Sequence, residues 1–337
     1  MTHTPLHRRH ALAAIAAAVL AGLLAAAPPP AQAQAGDTWP SRPITLVVAS
    51  AAGSGVDVVA REMAQQLSAV FRQPVVVDNK PGGSGSLAGG MVARARPDGY
   101  TLLYSNASFV AVAPAVLRKM RYDPARDLTP IAQTAAGGIL LLASKAVPAN
   151  NLPELLALVK AHPDRYSFGT WGIGSSGHLT MAWLMQRAGL KMAHIPYKST
   201  PQIVNELVSG VLQIGWSDPG TPVAMLESGQ VKGIAISGNV RVPRTPQIAT
   251  LGEQGHAFDA VGWFGVFGPA NLPPAITERL HAEINRIQRL PQTHKRMESL
   301  NFEPPPARSI AEFRATIARD QALWAAIAKD AGISEEP

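Results

Sequence analysis

The stretch YSFGTWGIGSSGHLTMAW, Tyr166 to Trp183, runs from a short strand-like segment through a glycine-serine loop into an amphipathic pattern. Two earlier stretches share that order: ITLVVASAAGSGVDVVAREMAQQL, Ile44 to Leu67, and PVVVDNKPGGSGSLAGGMVARA, Pro74 to Ala95. Short apolar runs that alternate with helical patterns signify strand–helix–strand units and a largely parallel sheet. Ligands of such sheets sit beyond the carboxyl ends of the strands, where these three loops fall.

Working outward, the pattern predicts strands over Tyr100–Ser105, Ile139–Ser144, His194–Tyr197, Gln213–Asp218 and Val231–Ser237. It predicts helices over Leu152–Ala161, Thr200–Ser209, Pro222–Ser228, Pro274–Arg289 and Ile310–Ala331. A single doubly wound domain rarely needs so many units, so two α/β lobes are expected, each a mostly parallel sheet flanked by helices. Lobe 1 is assigned to residues 36–135 and 240–337, lobe 2 to residues 136–239. The chain is expected to cross between them near Thr134–Gly138 and Gly238–Thr245.

The Gly172–Gly177 segment reads G-x-G-x-x-G, but a dinucleotide fingerprint needs an acidic residue at the end of the next strand, about 20 positions on. After His194–Tyr197 stand Lys198, Ser199 and Thr200 instead. A nucleophile turn needs G-x-S-x-G, and Gly174-Ser175-Ser176-Gly177 misses it by one position. Beyond the leader's His3, His7 and His10, no histidine pairs with another at metal-ligand spacing. What remains is an anion site. A helix start offers free N–H groups and a partial positive charge, glycine lets the backbone approach, and serine adds a hydroxyl donor. One ligand carboxylate is therefore expected on the N-termini of the helices that follow the first and the FGT strands. No cofactor is expected.

The first 35 residues read as a leader to be removed near Ala33 or Ala35. Arg8 and Arg9 precede Ala11–Ala27, an uncharged apolar run of 17 residues, and Pro28–Pro30 follow. The run falls short of the ~20 residues that span a bilayer. Export is expected by the general secretory or twin-arginine route, into a periplasm. The chain has 0 cysteines, which leaves no lipid attachment site and makes the core the sole source of stability. Of the net charge of +7, Arg8 and Arg9 supply two, leaving about +5 beyond the leader. The basic residues are scattered, so nucleic acid is not an expected partner, while a mild positive field favours anions.

Several of these segments, in this order, carry a resemblance: ITLVVASAAGSGVDVVAR, DNKPGGSGSLAGGMVARARPDGYTLLYSN, YDPARDLTPIAQ, FGTWGIGSSGHL, HIPYKSTPQIVNELVSGVLQIGWSD and GWFGVFGPANLP. The chain resembles the substrate-binding proteins of the tripartite tricarboxylate transporter (Bug) family from about Trp39 to Ile333. The resemblance implies a two-lobed periplasmic-binding-protein fold of type II, with a ligand cleft between the lobes. It implies a monomeric, non-enzymatic receptor that captures a small carboxylate, such as a di- or tricarboxylate or an aromatic acid. The receptor would pass it to large and small integral membrane subunits. A sensor-kinase ectodomain is a further candidate partner. A secreted hydrolase or lyase on a similar fold is the alternative reading.

The implied ligand-binding set is Ser50, Ala52, Gly53, Ser54, Gly55 and Asp57 in the first loop and Gly85 and Ser86 in the second. Asn106 and Ser108 follow the third strand, and Trp171, Gly172, Ser175, Ser176 and His178 form the FGT loop. Tyr197, Ser217 and Asp218 complete it. The chain also departs from the family. Ala49–Ser54 replaces a first loop close to Pro-Phe-Pro-Ala-Gly-Gly, Ser217-Asp218 replaces Asp-Asn, and Trp171 replaces a small residue. Asp57 suits either a first-turn acid or a water-mediated ligand contact. Trp171 suits a pocket wall or packing beneath the loop, Trp216 core or cleft, Trp263 packing, and His178 a cap or a ligand contact. Asp218 would repel a carboxylate, so it is expected to meet a hydroxyl, amine or amide of the ligand, or to form a structural bond.

Overall fold

In a computed structural model, residues 39–117, 119–258, 260–303 and 307–333 are described. The expected leader lies outside the described residues. The described residues from Pro40 onward form one compact unit. Its ten strands are β1 Ile44–Val48, β2 Val75–Asn79, β3 Thr101–Asn106, β4 Leu128–Gly137, β5 Leu140–Ser144, β6 Ser167–Thr170, β7 Ala193–Pro196, β8 Ile214–Ser217, β9 Val231–Ile236 and β10 Gly262–Pro269. The helices are α1 Gly55–Phe71, α2 Ser86–Ala93, α3 Ala113–Val116, α4 Pro124–Asp127, α5 Leu152–Ala161 and α6 Ser176–Ala188. They continue with α7 Thr200–Ser209, α8 Val223–Glu227, α9 Pro274–Gln288, α10 Pro291–Ser299 and α11 Ile310–Asp330. A π-helical turn, Ser108–Val112, leads into α3.

Two five-stranded sheets, ordered β2-β1-β3-β10-β4 and β7-β6-β8-β5-β9, form the two expected lobes. β1 pairs in parallel with β2 and β3, and β6 with β7 and β8. The other pairings are antiparallel: β10 with β3 and β4, β5 with β8 and β9. Each sheet is thus mixed rather than mostly parallel. β5 and β10, the strands that enter a lobe from the other one, run opposite to its strand–helix units, while β4 and β9, which leave it, run with them. The chain passes from β4 to β5 through Gly137-Gly138, and from β9 back to β10. These two passages touch, Ser237 N–H donating to Ile139 O (3.0 Å) and Ile139 N–H to Ser237 Oγ (2.9 Å). A Cβ on Gly138 would lie 1.9 Å from Ser237 O, so only glycine fits there.

The helices follow their sequence signals. α1 buries Val56, Val59, Ala60, Met63, Ala64, Leu67 and Phe71, a stripe at helical spacing, and starts on the Ser54 cap. α11 opens with a complete capping box, Ser309 and Glu312, and buries Phe313, Ile317 and Trp324. Those three side chains belong to one apolar cluster that also holds Val47 and Leu103 of the first sheet and Leu141 and Phe168 of the second. The lobes therefore share a core rather than meeting only at their rims. No helix among the described residues is long and apolar enough to cross a membrane.

Candidate functional site

The first loop is held from behind by Asp57, 2 % exposed. Its carboxylate accepts from Gly53 N–H (2.9 Å), Arg61 Nε (3.0 Å) and Asn79 Nδ2 (2.8 Å). Burial alone would raise its pKa. The bonds from Arg61, Gly53 and Asn79 and the Arg61 charge outweigh burial and hold it below the usual carboxylate value. Gly53 turns at φ +79° and Ser54 Oγ caps Asp57 N–H at 3.3 Å.

The FGT loop is built similarly. Gly172 and Gly174 take φ +129° and +71°, and Ser175 Oγ caps His178 N–H at 3.3 Å. Beneath it His178 stacks on His194 at 4.1 Å, and His194 on Phe168 at 5.0 Å. Gly174 N–H donates to His178 Nδ1 (3.3 Å) and Thr170 Oγ1 bonds His194 Nε2 (2.7 Å). Burial lowers the His178 pKa to about 4. Burial, with the His178 charge adding to it, lowers that of His194 to about 3.

Between the two loops lies a cavity of about 50 Å³, lined among others by Ser50, Ser54, Asn106, Ser108, Trp171, Ser176 and Asp218. A second, of about 30 Å³, shares Ile139, Asp218 and Gly262–Phe264 with it and reaches Gly137-Gly138 at the passage between lobes. Most lining residues follow the carboxyl ends of β1, β3, β6, β7 and β8, where an open α/β sheet places its ligands, and Ile139 and Gly262–Phe264 join them from the starts of β5 and β10.

Seven of the expected residues thus come together. The others stand behind them. Ala52 and Gly53 form the turn of the first loop and Gly172 that of the FGT loop, while Asp57 and His178 brace the two loops from beneath. Gly85 is packed so closely that a Cβ would lie 2.4 Å from Phe109, and Ser86 begins α2. Ser175 is fully buried as the α6 cap. Tyr197 packs on the opposite side of the second sheet, beside Gly169. Ser217 is fully buried, and its Oγ has no hydrogen-bond partner among the described residues. Trp216 is core. Val56, Ala107, Phe109, Ile139, Lys198, Ser199, Thr200, Gly262, Trp263 and Phe264 line the cavity although the implied set omits them. The signal for most was the quoted HIPYKST and GWFG segments. Val56 and Ile139 carried none, because an apolar wall residue looks like core in a sequence.

Two expected anion contacts need correction. Gly55 N–H, the first donor of α1, is taken by the chain's own Asp218 (Oδ2, 3.2 Å). Glycine is needed there, since a Cβ would stand 2.2 Å from Asp218 Oδ1. Ser176 N–H, the first donor of α6, is taken by Ser108 Oγ at 3.1 Å.

The hydroxyls around Ser108 can be assigned by counting. Ser108 Oγ accepts from Trp171 Nε1 (3.1 Å) and from Ser176 N–H, which fills both lone pairs. Its single proton then serves the 2.9 Å contact to Ser176 Oγ. Among the described residues Ser176 keeps its own O–H unspent, on a side chain only 5 % exposed that lines the cavity at the start of α6.

Residues 59–333 match the sequence profile described as the Tripartite tricarboxylate transporter family receptor. The chain belongs to that receptor family. A UPF0065 protein of Cupriavidus necator is 32 % identical, over 94 % of this chain and 97 % of its own. Among solved structures, the periplasmic binding protein BugD superposes with a TM-score of 0.83 at 30 % identity, covering 88 % of this chain and 100 % of its own. Rpa4515 of R. palustris, solved with adipate, gives 0.85 at 28 %, over 88 % and 99 %. The family is one of periplasmic receptors.

Proposed function

We propose that this protein captures a small carboxylate in the cleft between its lobes and delivers it to a membrane transporter of large and small integral subunits. The observation that carries the reading is the unspent Ser176 hydroxyl at the positive end of α6, in a cavity that also holds Asn106, Lys198 and the first-loop serines. A charge-assisted hydrogen bond stabilises a complex by roughly 1.5–3 kcal/mol, so several such donors suffice for micromolar affinity. That a relative of the same fold was solved with adipate supports the ligand class. Lobe 1 comprises residues 36–135 and 240–337, lobe 2 residues 136–239, and the paired passages at Gly138 and Ser237 act as the hinge. Ser50, Ser54, Asn106, Trp171, Ser176 and Lys198 contact the ligand, Ser108 orients the Ser176 hydroxyl, and Gly53, Asp57, Gly172, Ser175 and His178 shape the loops. The bond from Ser108 to Ser176 forms only when the lobes are together, so a ligand that uses the oriented Ser176 hydroxyl favours closure. The protein works as an exported monomer without catalytic role, after loss of a leader near Ala33 or Ala35. A sensor ectodomain would read the same closed form.

Thermal unfolding with a panel of carboxylates tests this. An acid at 100 times its dissociation constant adds roughly 2.7 kcal/mol of stability, and Ser176→Ala should remove most of the shift. No response to any organic acid, or turnover of ester substrates, would overturn the reading.

A further inference from the structure

We infer that Asp218 makes this receptor selective for monocarboxylates with an apolar body, by presenting a fixed negative charge to the cavity that a second carboxylate would have to share. The inference rests on the carboxylate-receptor reading and narrows it.

Asp218 closes β8 and reaches out of its own lobe to the start of α1. It accepts five hydrogen bonds. Oδ1 takes Gly220 N–H (3.0 Å) and Thr221 N–H (2.8 Å). Oδ2 takes Thr200 Oγ1 (2.7 Å), Thr221 Oγ1 (2.7 Å) and Gly55 N–H (3.2 Å). A carboxylate has about four lone-pair sites, so no acceptor capacity remains for an amine or hydroxyl of a ligand. Of the roles open to Asp218 from sequence, the structural bond is the one these contacts describe.

Its charge still faces the ligand, because Asp218 lines both chambers of the cleft and is 8 % exposed. It fills the α1 helix end that would otherwise seat an anion. That leaves the Ser176 hydroxyl, with the α6 end behind it, as the anion seat. Lys198 and Asp218 carry the only formal charges among the residues lining the first cavity, one of each sign. One ligand carboxylate meets donors at Ser176. A second, held in the same cavity, shares it with the Asp218 carboxylate, whose donors are already spent. Like charges at close range in a poorly solvated site disfavour one another. The rest of the wall, Val56, Phe109, Ile139, Trp171, Trp263 and Phe264, is apolar or aromatic and suits an acyl chain or a ring.

Calorimetric titration of the full-length mature protein with two matched pairs tests the inference: butyrate against succinate, and benzoate against terephthalate. The wild type should bind each monoacid at least about tenfold more tightly than its diacid, a modest price for like charges a few ångströms apart. Asp218→Asn removes the charge and should bring each pair within about threefold, mainly by gains in the diacids. A wild type that prefers either diacid, or a ratio untouched by Asp218→Asn, overturns the inference and leaves the carboxylate receptor standing. If the variant does not melt cooperatively, the wild-type ratios decide alone. If none of the four acids binds the wild type, the receptor reading itself falls and this inference with it.

Discussion

Gly55 and Asp218 fix one another. The amide of Gly55 approaches the Asp218 carboxylate only because no side chain intervenes, and Asp218 is held in turn by four other donors. Gly55→Ala forces the carboxylate aside and also meets Phe302 at 2.7 Å. Urea unfolding should register a loss of about 1–3 kcal/mol, the cost of one broken buried polar contact and local overpacking. Asp57 gives a second residue-level prediction. Its pKa lies below the usual value in the folded chain, so its contribution is full above the unfolded pKa near 4 and fades as the pH falls through the lower, folded one. Asp57→Asn should lower the midpoint at neutral pH yet flatten its decline below pH about 4. The sequence placed Asp57 at a helix start and left its task open. Its partners Asn79 and Arg61 decide that task, and Asn79 arrives from the next strand. The clash of Gly55 with residue 218 was likewise invisible, being a contact over 163 positions.

At the scale of elements, the strand–loop–helix units were plain to read, because hydrophobic period and glycine agree in each, joined by an N-cap serine in the first and third, Ser54 and Ser175. β3, β5 and β7–β9 fall within a residue or two of expectation. β4 and β10 were not foreseen as long strands. Their Ala- and Gly-rich sequences, LTPIAQTAAG and GWFGVFGP, owe their strand form to each other, through antiparallel pairing across more than 120 positions. The histidine stack beneath the FGT loop was equally unforeseen, since His178 and His194 sit on different elements. It makes a prediction. Both pKa values lie below the ordinary 6.5, at about 4 and about 3, so the unfolded chain takes up protons first on acidification. Stability is therefore full above pH about 6.5 and declines as the pH falls from there toward 3–4. His194→Gln should flatten that decline between pH 6.5 and 4 in thermal melts, while the wild-type midpoint falls steadily. Equal slopes would show that the pair does not titrate with folding.

For the whole molecule, two lobes were legible from the number of units, and the stretches that join them were expected to be strands or short turns because no low-complexity linker follows the leader. Their mutual contact was not. Gly138 and Ser237 meet because both passages leave the same two sheets at the same place, which only the strand order β8-β5-β9 creates. Gly138→Ala places a Cβ 1.9 Å from a backbone carbonyl, with no flexible side chain to yield. It should cost about 1–3 kcal/mol in urea unfolding and shift the maximum dimension in X-ray scattering, if these passages form the hinge. The proposed hinge would also govern access: a cavity of about 50 Å³ has room for roughly four waters, so an organic acid needs the lobes further apart to enter.

The claim beneath all of this is that an organic anion completes the hydrogen bonding of Ser176 between the lobes. A crystal structure of the protein grown with benzoate tests it directly. Carboxylate density is expected within hydrogen-bonding distance of Ser176 Oγ, with the ring against Trp171 and the Asp218–Gly55 bond intact. Benzoate seated elsewhere, with the Ser176 hydroxyl donating to the protein itself, would contradict it.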